Sequence, residues 1–160
     1  MPVTLRLAGA DRLAAALTGS QRVVDAQQAQ AMTASLLLVE GDARRNVRHD
    51  TRRLMNSITH RRSQRGRTLV GAVGPSVAYG LYVERGSRPH WAPVAQLRGW
   101  ARRHGVSPYA VQRAIARKGT RARPFLVPAF LRNAARIVRL FGDAGAAVTV
   151  ELARQSGGRA

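Results

Sequence analysis

The sequence predicts an α+β domain: a long N-terminal helix and a C-terminal helix packed on a small antiparallel sheet, with a helical-hairpin insertion at 93–118. Three observations predict it. An apolar residue recurs every three or four positions from Val23 to Val47. Two short β-type runs face each other across a polar turn at 63–66. A further helical stretch opens at Pro128 and closes at Gly142. With 160 residues, 45% of them hydrophobic, the chain can bury a core and is expected to form one domain over 1–154, followed by a disordered tail at 155–160.

Val3 to Leu7 alternates Val3, Leu5 and Leu7 and predicts a short strand. Ala10 to Leu17 reads as a short helix, broken at Thr18-Gly-Ser20, with Ser20 capping the next. Val23, Ala26, Ala29, Met32, Leu36, Val39, Ala43 and Val47 then lie on one helical face, read as core packing. Asp50-Thr51 resembles a cap for a turn through Leu54. Ser57–Arg62 and Arg67–Val73 are the two strands. Val77–Glu84 reads as a helical turn, and 86–93 as a loop. Pro93–His104 and Pro108–Lys118 form a helical pair around Gly105, with Ser107 placed to cap the second helix and Pro108 at its first position. Gly119–Arg123 is a basic linker. A helix follows over about 128–141, and the alternation of Val148, Val150 and Leu152 leaves two readings open there, a strand or a resumed helix.

Charge narrows the function. The formal net charge is +19, and 22 of the 27 basic residues lie in 44–139 against only two acids, Asp50 and Glu84. Every basic residue but Lys118 is Arg, whose planar fork suits phosphates and carboxylates. The middle section is therefore expected to face an anionic partner, DNA or an acidic protein surface. Cysteine is absent, which excludes disulfide and thiolate chemistry. No signal peptide is read at the N-terminus, and no apolar run reaches membrane-spanning length. His49, His60, His90 and His104 share no metal-ligand spacing, and eight acids are a poor supply for a metal-dependent nuclease. No phosphate loop or nucleophile elbow occurs. The expectation is a protein with no catalytic residue, no metal and no cofactor.

Two functional readings remain. The stretch "WARRHGVSPYAVQRAI" at 100–115 has the form of a DNA-reading helix-turn-helix. Ala101, Gly105, Val106, Val111 and Ile115 would set the crossing, and Gln112, Arg113 and Arg117 would reach DNA. This makes a soluble DNA-binding protein using residues 97–117 the alternative. The flanking phrases carry more information. They are "HDTRRLMNSI" (49–58), "VGPSVAYGLYVERGSRPH" (73–90) and "GTRARPFLVPAF" (119–130).

In order and spacing these phrases resemble a family of minor virion proteins of tailed double-stranded DNA phages, the tail components that include neck and tail-completion proteins. Asp50, Thr51, Leu54, Ser57 and Ile58 match its first phrase. Val73, Gly74, Tyr79, Tyr82, Val83, Glu84 and Gly86 match the second. Pro124, Phe125, Leu126, Pro128 and Ala129 match the third. Some members carry a helical insertion, which Pro93, Val94, Leu97 and Trp100 match at its start and Ala114 to Thr120 at its end. The resemblance covers about residues 20–141. Arg52 stands where the family has glycine, predicting a helical rather than a tight turn there. Gly80 replaces an alanine, and Ser87 a threonine.

The resemblance implies a structural protein: a ring, six- or twelvefold, at the head–tail neck or tail-completion position, assembled in the host cytoplasm. Its partners would be other copies of itself, neighbouring head-connector and tail proteins, and possible non-specific contact with packaged DNA, with no membrane. In this reading Asp50 or Thr51 starts a turn and Leu54 and Ile58 bury against the long helix. Tyr79 and Tyr82 present apolar sides with polar tips. Glu84 pairs with an arginine, in cis or on a neighbouring subunit. Gly86 takes a backbone angle other residues resist, and Phe125 is an anchor. Arg85, Arg88, Trp100, Arg102, Arg103, Arg113, Arg117, Arg121 and Arg123 are the candidate interface or DNA-facing residues.

Overall fold

The computed structural model describes residues 10–47, 52–66 and 68–157. The strand read at Val3–Leu7 and the capping role of Asp50 and Thr51 lie outside these residues. The arrangement is α+β, with long N- and C-terminal helices and a two-stranded antiparallel sheet. In chain order the elements are α1 (Ala10–Asn46), α2 (Arg53–Ser57), β1 (Ile58–Arg65), β2 (Thr68–Pro75), α3 (Gly80–Arg85), α4 (Val94–Arg103), α5 (Pro108–Lys118) and α6 (Leu126–Gly157).

α1 runs without interruption through Thr18, Gly19 and Ser20, so the break expected there does not occur and Ser20 is an interior residue. Glycine costs a helix about 1 kcal/mol, but it keeps its N–H and so does not break the hydrogen-bond ladder as proline would. The same reasoning corrects the C-terminal end. α6 passes Gly142 and Gly145, takes in the Val148–Leu152 stretch as helix, and runs on through Gly157, into the stretch read as tail. Residues 144–147 are alanine-rich, and no proline follows Pro128. The strands are longer than the sequence indicated. Pairing extends to Arg65 and resumes at Thr68, so the connection shrinks to two positions. Gly66 opens it at φ 59°, the left-handed backbone that short hairpin turns require.

The chain forms two compact units, each assembled from separated segments. Unit 1 contains residues up to Leu38, the outer strand segments Arg61–Ala72, and the chain from Asn133 onward. Here β2 approaches α1 closely. A Cβ added at Gly71 would lie 2.5 Å from Met32 Sδ and 2.9 Å from a Leu36 methyl, so the absent side chain makes the contact possible. Arg62 on β1 donates to the Ala29 carbonyl (2.8 Å) and to Thr33 Oγ1 (3.0 Å), a side-chain tie onto the flank of the helix.

Unit 2 contains Val39–His60 and Val73–Arg132. Its core includes Val39, Ala43, Val47, Ile58, Ala101, Phe125 and Ala129, all buried. Ile58 and Phe125 are the largest fully buried side chains, as the sequence predicted for Ile58 and for an anchoring Phe125. Polar ties reinforce this core. Buried Glu40 accepts hydrogen bonds from Arg44 (2.6 Å) and His60 Nδ1 (2.5 Å), while Arg44 also donates to the Ile58 carbonyl (2.7 Å). Asn46 donates to the Phe125 carbonyl (3.0 Å) and accepts from Arg132, joining the end of α1 to the start of α6.

Arg52 immediately precedes α2 and has φ 56° and ψ −5°, in the left-handed region. The turn is therefore left-handed rather than helical. It holds the conformation that glycine favours, although for a Cβ-bearing residue it costs about 1–2 kcal/mol. Arg52→Gly is expected to raise stability by about 0.5–1 kcal/mol, less than the full strain because glycine also loosens the unfolded chain. Chemical denaturation of the two forms measures this; an unchanged or lower midpoint would contradict it.

Candidate functional site

The second and third sequence phrases meet at Glu84. This side chain on α3 is buried. It accepts hydrogen bonds from three successive backbone N–H groups at the start of α6: Phe125 (2.7 Å) and Leu126 (2.9 Å) on Oε2, and Val127 (3.0 Å) on Oε1. The next residue, Pro128, has no N–H. Every amide donor in the first turn of a 32-residue helix is thereby satisfied from one carboxylate. The negative charge also faces the positive end of the helix dipole. Glu84 thus serves as a helix cap, and within the chain its partners are amides rather than the arginine expected in cis. Its ligand is backbone, and no residue-type pattern in the sequence marks a backbone ligand 41 positions away.

Below this cap the second and third phrases are laced together. Ser87 and Thr120 form an isolated antiparallel bridge (3.1 and 3.2 Å). Thr120 Oγ1 also donates to Ser87 Oγ at 3.0 Å. Gly86 and Gly119 flank the bridge at φ 73° and 69°. A Cβ at Gly86 would lie 2.5 Å from the Thr120 carbonyl oxygen, so the freedom predicted for Gly86 is used, for close approach as much as for angle. Arg123 N–H donates to the Val83 carbonyl at 2.8 Å. Leu54 packs near Gly80, where a Cβ would come 2.4 Å from Pro75 Cγ, so the glycine answers a real lack of room. Ser57 is buried and donates to the Leu54 carbonyl (2.7 Å).

The bridge closes the base of the α4–α5 hairpin. The helices fall where the sequence placed them, with Gly105 at φ 64° in the corner and Ala101 buried in the crossing. Ser107 precedes α5 but makes no side-chain cap. Gln112, a prospective base reader, donates instead to the Ala92 carbonyl at 2.9 Å and so holds the hairpin to its own entry loop. Trp100 stacks on His104, with ring centres 4.1 Å apart and planes 17° from parallel.

One side of this hairpin forms a wall of a large open cleft within unit 2, about 1320 Å³ in volume. Of the predicted residues, the rings of Tyr79, Tyr82 and Trp100 and the guanidiniums of Arg103, Arg121 and Arg123 converge on it. Arg52 and Arg53 join them, and Leu54, Met55, Val83 and Phe125 supply apolar lining. Among the described residues, no aspartate or glutamate lines it. Arg52, Arg53, Arg121 and Arg123 form no ion pair with any described residue. Tyr79, Tyr82 and Trp100 are 41%, 58% and 41% exposed, high values for large rings. Arg85, Arg88, Arg102, Arg113 and Arg117 are also exposed but lie outside this cleft, and Pro124 lines it beside Phe125. The sequence held a signal for Arg52 and Arg53: they fall inside the first of the three phrases.

Among the described residues no group of three or more His, Asp or Glu side chains is placed to hold a metal ion, and no helix is long and apolar enough to cross a membrane. No family model, curated protein or solved structure matches this chain.

Proposed function

We propose that this protein is a structural subunit of a tailed-phage or prophage-derived particle, forming a ring at the head–tail neck or tail-completion position. The observation that carries the reading is the Glu84 cap. The phrases "YVERGS" and "GTRARPFLVPA", which resemble that family in order and spacing, are parts of one joint: the first supplies the carboxylate, the second the three amides it binds. They serve to hold a scaffold, as a structural role requires. The surface is suited to subunit contacts. Val127, Phe130 and Leu131 are each more than half exposed, and their spacing puts them on one side of the first turns of α6. An apolar helix side of this kind is ordinarily covered by a partner. In a ring each interface is heterologous, so such a side would meet a different surface of the next copy, arginine-rich or otherwise.

Light scattering and negative-stain microscopy of the purified protein, alone and mixed with neighbouring virion proteins, test this. Closed rings or incorporation into particles are expected. A discrete monomer or dimer that footprints one DNA sequence would replace the reading with the helix-turn-helix one.

A further inference from the structure

We propose that the unit 2 cleft binds single-stranded nucleic acid, with phosphates seated on its arginines and bases on its exposed rings. The proposal goes beyond the assembly reading and stands on the cleft alone.

The argument begins with charge. Arg52, Arg53, Arg121 and Arg123 reach one cleft from two separate stretches of chain, and among the described residues no carboxylate lines it. Each guanidinium repels its neighbours, so their gathering makes sense when an anion joins them. Unit 2 as a whole holds 16 basic residues against four acids, so the surrounding field also draws anions in. Guanidinium forks bind phosphate oxygens in pairs.

The rings decide between anions. A duplex keeps its base faces in its own stack and would offer Tyr79, Tyr82 and Trp100 nothing beyond phosphate. An acidic peptide offers carboxylates and few π faces. An unpaired strand offers both chemistries at once, and stacking tolerates any base. Size agrees: about 1320 Å³ exceeds the roughly 300–1,000 Å³ of a small-molecule pocket and suits several linked nucleotides better than a free one. Little base selectivity is expected. Of the two amide side chains lining the cleft, Asn46 is already committed to Phe125 and Arg132, leaving Gln96.

The test is fluorescence anisotropy of the full-length protein with a labelled oligothymidine of about 12 nucleotides, at several salt concentrations. The strand should bind more tightly than a duplex of equal length and should quench tryptophan emission, with the quenching diminished in Trp100→Leu. Tyr82→Leu and Trp100→Leu should each weaken strand binding roughly 5- to 100-fold. Arg121→Gln with Arg123→Gln should flatten the slope of log K against log salt by about 1.4. Arg113→Gln with Arg117→Gln removes the same charge outside the cleft and should preserve the preference for single strands. Tyr82 is 58% exposed, so its leucine variant should fold, which circular dichroism verifies. Equal or tighter duplex binding would overturn the proposal, as would ring variants that bind like the wild type. Displacement by polyglutamate at equal charge concentration would assign the cleft to acidic peptides instead. A monomer that passes these tests would sink the assembly reading and leave this one standing.

Discussion

Glu84→Ala is expected to destabilise the protein by about 3 kcal/mol, lowering the melting temperature by about 6–12 °C. The reason is the asymmetry of hydrogen bonding. The carboxylate's three partners are backbone amides in a turn packed over buried Phe125, and truncation leaves them without an acceptor while the turn stays folded. Pro128 cannot share the load, because it has no N–H, and no side chain of α6's own first turn is acidic. Glu84→Gln keeps the shape but offers one acceptor oxygen and no charge, so it should fall between, at about 1–2 kcal/mol. Scanning calorimetry gives the stabilities. Hydrogen exchange gives the location: amides 125–127 should lose protection ahead of the rest of α6. A melting temperature within about 2 °C of wild type would refute the cap, since that is the size of an ordinary surface substitution. Arg85→Ala, one residue on and exposed, is the control expected to show that small effect.

Gly119→Ala should be at least as damaging, by about 3 kcal/mol or more. Two costs combine. Gly119 sits at φ 69°, which a Cβ-bearing residue adopts at about 1–2 kcal/mol. The added Cβ would also lie 1.9 Å from the Ser87 carbonyl oxygen, against backbone that has no rotamer to move aside. Relief requires opening the Ser87–Thr120 bridge, which closes the base of the α4–α5 hairpin. Gly105→Ala separates the two costs: its φ is 64° but nothing lies within 4 Å of the added atom, so only the conformational part, about 1–2 kcal/mol, should appear. Urea titrations of both variants measure the difference. Equal losses would show that the steric cost had been absorbed elsewhere.

The correct sequence readings have a common basis in short-range patterning. Leu36, Val39, Ala43 and Val47 repeat at helical spacing and are all buried. Pro108 and Gly119 bracket α5, and Val94–Arg103 lies within its forecast bounds. The helix ends that the sequence misplaced turned on glycine. Gly19 and Gly142 looked like stops and are helix interior, because glycine weakens a helix without breaking its hydrogen-bond ladder. The arginines were visible as an excess, but their grouping was not. Arg53 and Arg121 are 68 positions apart in sequence and share one cleft only because α2 and the linker after α5 fold into the same unit.

The sequence by itself determined the α+β class, the hairpin and its corner, the positive charge, and the phrases that resemble a virion protein family. Those properties depend on residue type and spacing along the chain. Tertiary structure alone decided that Glu84 binds amides rather than an arginine, that Gln112 holds a loop carbonyl, and which arginines meet the exposed rings. These are long-range pairings. The backbone donors and acceptors they involve are the same at every non-proline residue, so no local pattern announces which of them a given side chain will find.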